Sequence, residues 1–189
     1  DDYDLITENA AEAPMGCEGL LFHPYLMGER SPYWDPNLRA DFLGISSHHR
    51  FAHFTRAILE GVAFSIRDCY STVESLGELI NKLWIMGGGA KSELWCQIIS
   101  DVVGQTLHKP ATGNAAIGSA LIAGVATGVF KTYEEAIHPK EPDQEFTPDP
   151  YKNELYQTYY DVYRNVTLDL AKYSHKLTTL ANMNQMELK

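Results

Sequence analysis

Four residues with little or no side chain, Gly87-Gly88-Gly89-Ala90, followed by Lys91 and Ser92, separate an apolar run, Leu83 to Met86, from an amphipathic stretch carrying Leu94, Trp95, Ile98, Ile99 and Val102. A strand that ends in glycines and turns at once into a helix leaves main chain uncovered beyond its carboxyl end, where ligands of open α/β sheets lie. A flat ring can then reach the backbone, with no Cβ to hold it off. Ser92 suits the helix N-cap, because its hydroxyl can accept from an unpaired N–H of the first turn, and Glu93 favours the positive helix end. The segment is not a P-loop, since no Gly-Lys-Ser/Thr follows at the required distance. Nor is it a dinucleotide fingerprint, because position 92 is Ser and no acidic ribose partner stands about 20 residues on. Two readings stay open on local grounds: a site for a planar ligand, or a tight turn with none.

Two other groups could do chemistry. Glu29, Arg30 and Asp35 lie in a turn-rich loop with Tyr33 and Trp34, which suits a cleft for a polyol, a domain interface, or a salt-bridged surface loop. His48, His49 and His53 invite a metal reading, with the last two at helical i, i+4 spacing. It is not favoured: no Glu follows the zinc-protease pattern, and no nearby Cys or Asp completes a coordination shell. Surface or capping histidines at a helix start are the better account, and no metal ligand is assigned.

The elements that position these residues follow from periodicity. Gly19 to Leu26 and Asp41 to Ile45 read as short strands, with Ser46-Ser47 as a cap for the helix after them. From 53 to 76 apolar residues recur at Phe54, Ile58, Val62, Ile66, Val73 and Leu76, one long amphipathic helix. A strand at 83–86 leads through the glycine turn into a helix. A weaker strand at 106–109 and the turn 112–114 precede a helix over 115–127, read as buried, whose Gly118 and Gly124 would admit a close neighbour. Thr132 and Glu135 form a capping-box pattern for a short helix. Residues 138–150, acidic and rich in proline, read as an extended connector. Asp149-Pro150 then opens a last helix with Leu155, Tyr159, Val162, Val166, Leu170 and Tyr173 on its inner face, frayed beyond about Leu180. The division expected is a lead-in (1–18), a core (19–137), a linker (138–150) and a terminal helix (151–181). Short strands alternating with helices argue for an α/β class with partly parallel strands.

Composition bounds the rest. A chain of 189 residues, 44% hydrophobic, can hold a core. Its net charge of −10 opposes nucleic acid and anionic lipid as partners. No stretch of about 18 consecutive apolar residues could span a bilayer, so no membrane partner is expected. Three widely spaced cysteines support neither a disulfide framework nor a zinc site, and point to reduced thiols in a cytoplasm. The chain begins Asp1-Asp2-Tyr3-Asp4 with no initiator Met, and reads as a piece of something longer.

Three segments together resemble the carboxy-terminal half of the FGGY carbohydrate kinases, the family of glycerol, xylulose, gluconate and ribulose kinases. Gly19-Leu-Leu-Phe-His-Pro-Tyr-Leu-Met-Gly-Glu-Arg-Ser-Pro-Tyr-Trp-Asp-Pro36 is similar to the family's GL-F-PYL-GER-P-WDP stretch. Ala40, Phe42, Gly44 and Ile45, then His53-Phe54 and Ala57-Ile58-Leu59-Glu60, match its second pattern. Gly87 to Ser92 with Trp95 and Asp101 is similar to its adenosine-binding turn and helix. The Pro-Tyr-Leu-x-Gly-Glu-Arg loop and the run from Glu60 to Phe64 look most like xylulose kinases, with gluconate kinases close behind.

The resemblance implies an actin-like, ribonuclease-H-type lobe that binds ATP or ADP in a cleft against a second lobe. The parent's reaction would be phosphoryl transfer from MgATP to a sugar hydroxyl, xylulose to xylulose 5-phosphate. Adenine would lie against Gly88, Gly89 and Ala90, after Gly87, with Ser92 near the base or ribose. Mg2+ would be held mainly by the nucleotide and the other lobe. No Asp-x-Gly-Thr phosphate hairpin or Asp general base can be matched here, so the chain alone is expected to be inactive, and its sugar contacts to come through the other lobe. It is also expected to expose apolar surface and self-associate, with a homodimer of the parent left open. Gly89→Val is expected to weaken binding by blocking the base while leaving the fold largely intact. His23 stands where many members have an aliphatic residue, and is expected to face a cleft or interface. The reading from another class is a non-catalytic interaction or scaffold module with a kinase-like fold.

Overall fold

The computed structural model describes residues 2–78, 80–111, 115–137 and 143–187. Short apolar runs form strands and periodic ones helices, in the order α1 (Asp2–Ala11), a 3-10 turn (Met15–Gly19), β1 (Leu21–His23), β2 (Asp41–Leu43), α2 (Phe51–Ser75), β3 (Leu83–Trp84), a second 3-10 turn (Gly89–Lys91), α3 (Glu93–Val103), β4 (Leu107–Lys109), α4 (Ala115–Ala126), α5 (Tyr133–Ala136), β5 (Gln144–Phe146) and α6 (Pro150–Glu187). β1 and β2 pair antiparallel, with Phe22 opposite Phe42. β3 runs parallel to β4, joined by the crossover helix α3, and β5 adds antiparallel to the other edge of β4.

α3 is the centre of the core. Its Cys96, Ile98, Ile99, Val102 and Val103 meet Phe64 of α2, Leu107 of β4, Phe146 of β5 and Tyr156, Tyr160 and Tyr163 of α6. Buried Ser100 donates to the carbonyl of Phe146 at 2.7 Å, which ties β5 to this helix. Gly61 lies in the middle of α2, where glycine costs about 1 kcal/mol relative to alanine. A Cβ there would stand 2.1 Å from the carbonyl oxygen of Phe22. Only glycine lets α2 lie directly on β1.

The structure corrects which faces are buried. α2 turns Ala52, Thr55, Ala57, Glu60, Gly61, Ala63, Phe64 and Asp68 inward, while Ile58, Ile66, Val73 and Leu76 of the expected apolar stripe are exposed. Small residues are what close approach to β1 requires, and the two carboxylates on this face find partners. Glu60 accepts from Arg56 and Tyr156, and Asp68 from Tyr33 at 2.8 Å and Tyr160 at 2.6 Å. α6 likewise buries Tyr156, Tyr160, Tyr163, Thr167 and Thr178, leaving Leu155, Val162 and Tyr173 exposed. A phenol offers both apolar ring and hydrogen-bonding tip, so it serves an interface of buried carboxylates better than an aliphatic chain does.

Other expectations change as well. α4 is exposed rather than buried: Ile117 and Ile122 reach solvent, and a Cβ on Gly118 would meet nothing within 4 Å. Ile66, Tyr70, Val73, Leu83, Trp84 and Val103 line an open apolar groove of about 300 Å³ between α2, β3 and α3. Ser46 and Ser47 do not cap α2, which starts at Phe51 with the N–H of Arg50 donating to His53 Nδ1 at 3.1 Å. The connector contains β5, and α6 continues past Leu180 to Glu187. The turn at 112–114 and residues 138–142 of the connector lie outside the described residues. Asp149 does cap α6, its Oδ1 accepting from Tyr151 N at 2.9 Å and Lys152 N at 3.3 Å. Thr132 caps α5 through Glu135 N at 3.2 Å. Among the described residues no helix is long and apolar enough to cross a membrane.

The phenols give the fold an alkaline limit. Burial pushes Tyr25 from the ordinary 10.0 up to about 12, and burial with the Asp68 carboxylate does the same to Tyr160. Between pH 10 and 12 the folded chain keeps protons that the unfolded chain has released. It therefore binds more protons than the unfolded state there, and stability falls as pH rises. Urea midpoints are expected to hold steady approaching pH 10 and to drop between 10 and 12. A midpoint that stays level from pH 10 to 12 would contradict this.

Candidate functional site

β3 delivers the chain to the glycine turn. Ile85 N still donates to His108 of the neighbouring strand at 2.9 Å, and Gly87 then takes φ +87°, a conformation that L side chains resist. Gly88 is helical (φ −61°, ψ −42°), and the N–H groups of Lys91 and Ser92 close back on the carbonyls of Gly88 and Gly89, each at 3.2 Å. Ser92 Oγ accepts from Trp95 N at 3.1 Å and starts α3. The turn thus sits at a strand's carboxyl end and a helix's N-terminus, where the dipole favours a negative ligand group.

The glycines are not equivalent. A Cβ on Gly87 or Gly88 would meet nothing within 4 Å among the described residues, so their backbone is open there to an approaching ring. A Cβ on Gly89 would lie 1.9 Å from the indole of Trp95. That indole is anchored, its Nε1 donating to the carbonyl of Leu59 at 3.2 Å. Ala90 is only 6% exposed. Gly87 and Gly88 form the turn's outer face, and Gly89 and Ala90 seat it on the core. The expectation that Gly89→Val leaves the fold intact therefore fails on sterics.

Glu29, Arg30 and Asp35 lie in one loop, where neighbouring groups engage both carboxylates. Glu29 Oε1 accepts from the N–H groups of Arg30 and Ser31 at 2.8 and 3.0 Å, and the Glu29 and Asp35 backbones bridge each other. Asp35 Oδ2 is 2.6 Å from His175 Nε2 of α6. Against the cost of its slight desolvation, the bond to His175 and those from nearby backbone hold the Asp35 carboxyl below its usual range. Arg30 points to solvent. His23 departs from expectation: it is 1% exposed, with Nδ1 2.8 Å from Asp41 and Nε2 3.1 Å from the carbonyl of Tyr163. It links the β1–β2 pair to α6 and faces no cleft.

In sequence Trp95 stands out as an apolar residue of α3 and as part of the stretch similar to the family's adenosine-binding turn and helix. Its part in seating Gly89 has no local signal, because it depends on how α3 lies under the turn.

Residues 1–127 match the C-terminal domain of the FGGY family of carbohydrate kinases. The chain belongs to this family. It is 34% identical over 184 residues to a xylulose kinase of Staphylococcus epidermidis, covering 96% of this chain and 37% of that protein. It is 34% identical over 136 residues to a gluconokinase of Bacillus subtilis, covering 71% of this chain and 26% of that one. The crystal structure of a ligand-bound xylulose kinase from Lactobacillus acidophilus superposes with a TM-score of 0.82 at 26% identity, over 91% of this chain and 35% of that chain. This FGGY chain thus spans between about a quarter and little more than a third of the length of these relatives. The fold is that of the actin-like FGGY sugar kinases.

Proposed function

We propose that this chain is the nucleotide-binding lobe of a cytoplasmic sugar kinase that transfers a phosphoryl group from ATP to xylulose, giving xylulose 5-phosphate. The nucleotide half rests on the open backbone at Gly87 and Gly88, above the N-terminus of α3. An adenine can stack against these two residues, while Gly89, on Trp95, holds the turn in shape. ATP, with the Mg2+ that travels on its phosphates, would supply the transferable group. Phosphoryl transfer depends on positioning and on stabilising the transferred charge. The residues of this chain contribute the positioning of the base. The sugar half rests on extent of likeness: similarity to a xylulose kinase runs through 96% of the chain, against 71% for a gluconokinase. The cytoplasmic assignment rests on the three unpaired thiols.

Calorimetric titration of the chain with MgATP, and separately with adenosine, tests this reading, with Gly88→Val as control. Gly88 has helical dihedrals and open space around its Cβ position, so valine is tolerated by the fold and obstructs only an incoming ring. Affinity is expected to fall by more than about tenfold, the equivalent of 1.4 kcal/mol. Unchanged affinity in a stably folded variant would overturn the site. A protein carrying this chain together with the remaining length of its relatives should turn over xylulose faster than gluconate; the reverse order would reassign the sugar.

A further inference from the structure

Glu18, His48 and His49 bring one carboxylate and two imidazoles together, with a ligand atom of each within 4.8 Å of the others. Sequence offered no acid near these histidines. The acid comes from the 3-10 turn after α1, where Glu18 has φ +52°, while the histidines lie in the loop between β2 and α2. Glu18 Oε2 stands 3.2 Å from His48 Nε2. An ion held tetrahedrally at about 2.0–2.1 Å keeps its ligand atoms roughly 3.3 Å apart, so these two atoms already have the spacing of neighbours on a shared ion. His49 adds a second, independent sign: its Nε2 is buried and has no hydrogen-bond partner among the described residues, a costly state when nothing relieves it. The side chains of Glu18 and His48 are 49% and 54% exposed, which leaves an entry path and room for a water in the fourth position.

We infer that Glu18, His48 and His49 form a binding site for a borderline divalent transition-metal ion, of the Zn2+, Ni2+ and Co2+ class. Two imidazoles select against Mg2+ and Ca2+, which prefer oxygen ligands throughout. The site is separate from the glycine turn and does not depend on nucleotide binding. Its hydrogen bonds are compatible with ligation. His48 Nδ1 is 2.9 Å from Ser46 Oγ, so with Nε2 on the ion this nitrogen donates to the hydroxyl and fixes the ring. His49 Nδ1 accepts from Ser46 N at 3.0 Å, which puts the ring proton on Nε2. Ligation through Nε2 moves that proton to Nδ1, with no net gain or loss, and Ser46 N, in an exposed loop, turns to water in exchange for the bond it gives up. His53 is a positioning residue. Its Nδ1 is taken by Arg50 N, and its Nε2 lies 3.3 Å from Glu18 Oε2, donating to the carboxylate that the ion needs.

The test is calorimetric titration of the untagged, chelator-treated chain with ZnCl2 and then NiCl2, together with the visible d–d spectrum of Co2+. The expected result is one ion per chain with a tetrahedral Co2+ spectrum. Glu18→Gln and His48→Ala, both at half-exposed positions, should weaken binding by more than about 100-fold, beyond the 10–100-fold seen when only an outer-shell partner is lost. Melting temperatures of the ion-free variants check that they fold. His108→Ala and His175→Ala, each removing a histidine paired with a carboxylate elsewhere, should leave binding unchanged. Absence of saturable binding to the folded chain would overturn the site. So would an affinity indifferent to Glu18→Gln, or one that tracks His108 or His175.

Discussion

Glu60→Ala is expected to destabilise the chain by about 3–5 kcal/mol, the scale on which a buried ion pair loses one partner. Glu60 is 2% exposed and joins three segments, the first 3-10 turn, α2 and α6. It accepts from Arg56 Nε at 2.8 Å, from the Tyr156 hydroxyl at 2.8 Å and from Gly16 N at 3.1 Å, with Cys17 Sγ at 3.5 Å. Alanine would leave a buried guanidinium without its counter-charge, and a hydroxyl and an N–H without an acceptor. Burial works against the charge of Arg56, and the Glu60 carboxylate more than offsets it, holding the guanidinium above its ordinary range. The same surroundings, burial first and then the charge of Glu60, push the Cys17 thiol well up, so Cys17 is an inert thiol. Glu60→Gln keeps an acceptor but not the charge, and should cost less, about 1–3 kcal/mol. Urea unfolding followed by ellipticity reads both variants. A loss below about 1 kcal/mol for alanine would mean that water replaces the carboxylate, and that the first 3-10 turn, α2 and α6 are not joined through it.

The second large effect separates two neighbouring glycines. Gly89→Val is expected to cost about 3 kcal/mol or more, at the upper end of overpacking penalties, whereas Gly88→Val should stay within about 0.5 kcal/mol of the parent chain. The Cβ of the first must displace the Trp95 indole and break its bond to the Leu59 carbonyl; that of the second enters open space. Thermal melts of the two variants side by side check the contrast. Equal melting temperatures would show that Trp95 swings aside freely, and the distinction between an outer and an inner face of the turn would fall. If the contrast holds, Gly88→Val is the variant that reports on nucleotide, and nucleotide loss in Gly89→Val reports on a damaged turn.

Local chemistry along the chain determined a good deal. Strand, glycine turn and capped helix at residues 83–103 follow from an apolar run, three glycines and Ser92, because each acts on backbone within a few residues of itself. The caps at Thr132 and Asp149 are legible for the same reason. So is family membership, since the Gly19–Pro36 stretch and the His53–Glu60 pattern are linear motifs.

Tertiary structure alone decided which faces are buried and which side chains meet. Hydrophobic periodicity ranks residues by apolarity, and so chose Ile58, Ile66 and Val73 over Glu60 and Asp68; proximity to β1 and to the phenols of α6 reversed that ranking. A buried carboxylate is stable only when partners from distant segments complete its hydrogen bonds, and no window of sequence contains Gly16, Arg56 and Tyr156 together. β5 stayed hidden because its partner is β4, across α4 and α5, and a short polar strand on a sheet edge has no periodicity of its own. The same separation concealed Glu18 from the histidines it faces: spacing along the chain governs caps and turns, while ligand sets and buried charge depend on which segments the fold brings together.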